Sequence, residues 1–141
     1  MNNKKYFKIL LRVSAIFLWY FTPLFFLVIS SNSLLKQNTF LGDLIIRFPY
    51  QWDYELMFLG FYLVWGVFVW KVAENPENNM NFIKFTAWGF FVTALTNIVV
   101  GFFRMQDLWH LSMDSIPWLA LSFLIFYFIK NSNIPLADCG R

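Results

Sequence analysis

Two stretches decide the fold: YELMFLGFYLVWGVFVWKVA at residues 54–73 and MNFIKFTAWGFFVTALTNIVVGFF at residues 80–103. Neither alternates apolar and polar residues as a half-buried strand would, and neither carries the broad polar face of a helix on a water-soluble core. Each is a predominantly apolar block of the length that crosses a bilayer as a helix, about 20 residues. Only Glu74 to Asn79 separate them. So short a connection makes the two helices antiparallel neighbours, a hairpin. Asp53 is placed to cap the first and Asn75-Pro76 to stop it.

Working outward, Lys4, Lys5 and Lys8 precede an apolar block over residues 9–30, interrupted by Arg12 and by Thr22-Pro23. A cleaved secretory signal has an apolar core of about 7–15 residues and a small-x-small exit. This block is longer and ends in Val28-Ile29-Ser30-Ser31, so it reads as an uncleaved first span in which Pro23 introduces a local kink. Residues 31–53 turn polar around the island Leu44-Ile45-Ile46, between Asp43 and Arg47. They predict a short interfacial helix in the first outer loop, with Tyr50, Trp52 and Tyr54 at headgroup depth. Beyond a polar segment from Arg104 to Ser112, Asp114 caps a short fourth span over 115–130 with Pro117 in its first turn. Leu136 to Arg141 form a loose tail. The expectation is an all-α, single-domain bundle of four transmembrane helices over about 9–30, 54–73, 80–103 and 115–130.

Composition agrees. Hydrophobic residues make up 59% of the chain and charged ones 13%, against about 45–50% apolar in soluble domains. The net charge of +3 is small and its cations lie at block ends, which argues against nucleic-acid binding. A single cysteine, Cys139, excludes an internal disulfide or a Cys-x-x-Cys redox pair. With the N-terminus in the cytoplasm, the inner segments hold eight cations (Lys4, Lys5, Lys8, Arg12, Lys71, Lys84, Lys130, Arg141) and the outer ones three (Lys36, Arg47, Arg104). Basic flanks stay inside, so both termini are expected in the cytoplasm.

Candidate functional residues fall in three groups. Glu55, Tyr62, Gly66 and Ala73 recur at spacings of seven, four and seven, on one face of the second helix. Thr86, Gly89, Thr93, Asn97, Gly101 and Arg104 recur at three, four, four, four and three on the third. Small residues let helix backbones approach in lipid, and Asn97 would seek a partner across an interface, so both stripes read first as packing faces. Alternatively Glu55, Asn97 and Arg104 line a pathway in an oligomeric transporter or channel subunit. The third group, Glu55, Arg104, Asp107, His110 and Asp114, collects on the outer side as a polar site for a headgroup, small ligand or partner. One histidine builds neither a bis-histidine haem site nor a zinc centre, and no nucleophile-base order or phosphate-cradling glycine loop is present. The expectation is therefore no cofactor and no metal, with an enzyme at the outer face as the weakest reading.

The pattern Glu55, Tyr62-Leu63-Val64-Trp65-Gly66, Asn75-Pro76, Phe85-Thr86-Ala87-Trp88 and Asp114-Ser115-Ile116-Pro117 resembles an uncharacterised family of small bacterial four-span membrane proteins. The resemblance covers about residues 54–130. Asn97 stands where many such members have a histidine, and Met113 where they have glycine. The resemblance implies a multi-pass protein of a bacterial inner membrane and supplies no activity. The sequence thus points to an accessory protein whose partners are the lipid bilayer, a second copy of itself or another membrane protein.

Overall fold

The computed structural model describes residues 3–30, 52–103 and 115–131, all helical apart from the turn that joins the second helix to the third. Helix α1 spans Asn3–Ser30, α2 Trp52–Val72, α3 Met80–Phe103 and α4 Ile116–Asn131, with a single 3₁₀ turn, Pro76–Asn79, ahead of α3. The expected interfacial helix and the tail lie outside the described residues. Helix α1 begins at Asn3 and runs through Pro23. It starts earlier than the apolar block because Lys4, Lys5 and Lys8 are good helix formers and continue the helix beyond its apolar face. Helix α2 begins one residue ahead of Asp53.

Among the described residues one helix, Pro76–Phe103 counted with its 3₁₀ turn, is long and apolar enough to cross a membrane, with a mean hydropathy of 1.6. Shorter apolar helices cover Leu56–Val72 of α2 and Ile116–Asn131 of α4.

The helices run up, down, up, down. Arg12 lies over Trp70, with its guanidinium 5.4 Å from the ring centre, and Phe21 meets Tyr62 at 5.1 Å, so α1 and α2 are antiparallel. Ser122 and Ala87 are joined by a hydrogen bond and Phe90 meets Trp118 at 4.9 Å, which sets α4 antiparallel to α3. Phe7 stacks on Phe128 at 5.8 Å, bringing α4 back against α1. The closest backbones belong to the pairs α1/α2 and α3/α4. Between α2 and α3 the side chain of Trp65 acts as a spacer.

Trp118 is the hub of the core. It is 2% exposed and takes ring contacts from Phe17 and Phe21 of α1, Tyr62 of α2 and Phe90 of α3, at 5.0, 5.9, 5.6 and 4.9 Å. Edge-on and offset ring pairs at these separations add about 0.5–1.5 kcal/mol beyond area burial. One indole therefore ties four helices together.

Candidate functional site

Gly66, Thr86 and Gly89 of the two stripes take up side chains from neighbouring helices. Gly66 is buried on α2, and a Cβ there would stand 2.7 Å from Cδ1 of Trp19. A Cβ at Gly89 would stand 2.6 Å from Cη2 of Trp65. Both indoles also donate a hydrogen bond three residues upstream of the glycine they cover. Trp19 Nε1–H donates to the Leu63 carbonyl at 3.3 Å, and Trp65 Nε1–H to the Thr86 hydroxyl at 3.1 Å. At both positions the missing Cβ leaves the room that the indole occupies.

Along the same faces Tyr62 is half-buried, Ala73 and Gly101 are buried, and Thr93 and Asn97 are half-buried. Glu55 falls in the first turn of α2, with its side chain outside the description, while Arg104, Asp107, His110 and Asp114 lie outside the described residues. The structure therefore does not place the outer polar group. Thr22 of α1 and Ser115 ahead of α4 are buried hydroxyls with no hydrogen-bond partner among the described residues.

At the opposite end of the bundle the up-down topology gathers the start of α1, the turn between α2 and α3, the start of α3 and the end of α4. Lys4, Lys5, Lys8, Arg12, Lys71, Lys84 and Lys130 collect there, with Glu74 and Glu77. Local sequence chemistry builds the turn. Ala73 and Glu74 close α2 by donating to the Val69 and Lys71 carbonyls at 3.1 Å each. Pro76 then opens the 3₁₀ turn with its ring buried, and Asn79 Nδ2 donates to the Asn75 carbonyl at 3.0 Å. Helix α1 docks on that turn. Lys8 Nζ donates to the Glu74 carbonyl at 2.7 Å, and Lys4 Nζ pairs with Glu77 Oε1 at 2.6 Å. Between them lies a cleft of about 570 Å³.

Residues 43–141 match the model of DUF6632, a family of unknown function. The chain belongs to it. No curated protein and no solved structure matches the chain. The DUF6632 match takes in α2, α3 and α4, and α1 precedes it. The Trp65–Gly89 contact is thus internal to the DUF6632 segment, whereas the Trp19–Gly66 contact and the basic cleft are shared between that segment and α1. Sequence reading treats the N-terminal lysines as orientation signals alone. The antiparallel order of α1 and α2 is the signal that would have placed them against Glu74 and Glu77.

Proposed function

We propose that this is a four-span membrane protein with its basic end and both termini in the cytoplasm, acting as an accessory protein that contacts lipid or a partner membrane protein through its apolar flanks. The observation that carries the reading is the segregation of charge. Residues 13–30, 56–70, 85–103 and 115–129 contain no Asp, Glu, Lys, Arg or His, a belt about 22–28 Å deep at 1.5 Å per residue.

Within that belt the outside is as apolar as the inside. Phe102 and Phe103 are 74% and 86% exposed, and Phe26, Phe85, Trp88, Phe123 and Tyr127 are also exposed. Ser14, Thr86 and Ser122, by contrast, are buried. Water would penalise such a surface at about 25 cal/mol per Å² of apolar area, and monomeric soluble proteins rarely show contiguous apolar patches above a few hundred Å². Lipid tails carry no such penalty, and buried hydroxyls that bond across helices are the glue expected there. The Ser122 hydroxyl donating to the Ala87 carbonyl at 2.9 Å is one such bond.

The accessory reading rests on the core. Trp118, Phe90, Ile125 and Leu18 fill the described middle of the bundle, so one copy encloses no polar path through it. Surface labelling tests the topology. In a Cys139→Ser background, a membrane-impermeant maleimide is expected to label His110→Cys in intact cells and Glu77→Cys only after permeabilisation. Labelling of both in intact cells, or recovery of the chain in the soluble fraction after carbonate extraction, would overturn the reading.

A further inference from the structure

Lys5, Lys8 and Arg12 follow one another at spacings of three and four, so they share one side of α1. That side faces the Asn75–Asn78 turn across the cleft, which these cations line together with Lys4 and Glu77. Four cations against one carboxylate give the lining a formal charge of +3. Glu74 contributes its carbonyl to Lys8 but does not line the cleft.

The contacts already made hold the cations in place without using them up. An ammonium has three donors. Lys4 spends one on Glu77, and Lys8 one on the Glu74 carbonyl. Arg12 lies over the Trp70 ring with its guanidinium carbon 5.4 Å from the ring centre, a cation–π contact that is no N–H···O bond and spends none of its five N–H donors on an acceptor. Lys5 is exposed and has no ion-pair or hydrogen-bond partner among the described residues. Phe7, Ile9 and Pro76 complete the wall, and Arg12 adjoins Val13, where the charge-free belt of α1 begins.

We propose that this cleft binds a phosphate-bearing anion, with Lys5, Lys8 and Arg12 as its donors and the headgroup of an anionic phospholipid as its source. The inference rests on the membrane reading above, which puts the cleft at the cytoplasmic boundary of the bilayer. Basic pockets between helices on that side suit phosphate headgroups. The place of Arg12 at the edge of the belt favours a lipid, whose acyl chains continue into the belt, over free phosphate.

The test is native mass spectrometry of the full chain released from phosphatidylcholine nanodiscs doped with phosphatidylglycerol. One retained phosphatidylglycerol per chain is expected. Each juxtamembrane cation is worth about fivefold in affinity, so Lys5→Gln combined with Arg12→Gln should lower retention about 25-fold. Lys5→Gln alone, a change at an exposed side chain, should lower it about fivefold and Arg12→Lys should largely preserve it. Lys130→Gln, at the same end but outside the cleft, should leave it unchanged. Equal losses from Lys130→Gln would overturn the proposal in favour of diffuse attraction. Displacement of the lipid by millimolar inorganic phosphate would support the phosphate site and overturn the lipid as its source. A chain that inserts into nanodiscs but shows no preference for phosphatidylglycerol sinks this proposal alone, whereas one that stays in the aqueous phase sinks the membrane reading with it.

Discussion

The two indole contacts, Trp19 on Gly66 and Trp65 on Gly89, use one geometry in two settings. In each, a ring lies on a glycine and its N–H reaches an acceptor three residues earlier on the receiving helix. Trp65 is 7% exposed and hemmed in by Phe61 and Phe90 at 5.2 and 5.3 Å. Its acceptor is a buried side-chain hydroxyl. Trp19 is half-buried, stacks on Trp70 at 5.6 Å and donates to a backbone carbonyl. A contact whose indole is buried should respond to substitution more fully than one whose indole is half-exposed.

The largest expected effect is therefore at the closed contact. Gly89→Leu drives a side chain into the space of a ring that cannot retreat, and should cost about 1–3 kcal/mol, read as a shift in the unfolding equilibrium in mixed micelles. Next, Thr86→Val removes the acceptor while nearly keeping the shape, leaves the Trp65 N–H unsatisfied and should cost about 1–2 kcal/mol. Thr86→Ser should restore most of it, which separates the hydrogen bond from the packing. The smallest effect is at the open contact. Gly66→Ala gains about 0.5–1 kcal/mol in helix propensity against a Trp19 ring that can slide outward, so the net change should lie within about 0.5 kcal/mol. If Gly66→Ala proves as damaging as Gly89→Leu, the two contacts are energetically alike and the distinction by enclosure is wrong.

How much of this was legible in the sequence differs from helix to helix. The apolar run at 80–103 coincides with α3 because Asn75-Pro76 ends one helix and nothing interrupts the next. The spacing of Gly66, Thr86 and Gly89 singles those positions out as places where something can come close. Periodicity within a helix carries no information about which distant side chain arrives, and Trp19 and Trp65 look like ordinary members of aromatic blocks. The same holds for the cleft, which exists only because α1 and α2 pair over much of their length. Arg104, Asp107, His110 and Asp114 fall outside the described residues, so the outer polar site stays an expectation of the sequence.

The unequal helices have a consequence for the solvent around them. At 1.5 Å per residue the charge-free stretch of α3 is about 28 Å long and that of α4 about 22 Å, while a bilayer core is about 30 Å thick. Embedded in such a core, the bundle meets hydrophobic mismatch on the α4 side and little on the α3 side, costing fractions of a kcal/mol per Å. Lipids beside α4 must thin. The chain then favours thin bilayers, and a second short-helixed protein beside α4 would share one thinned patch of membrane with it, drawing the two together without any specific contact.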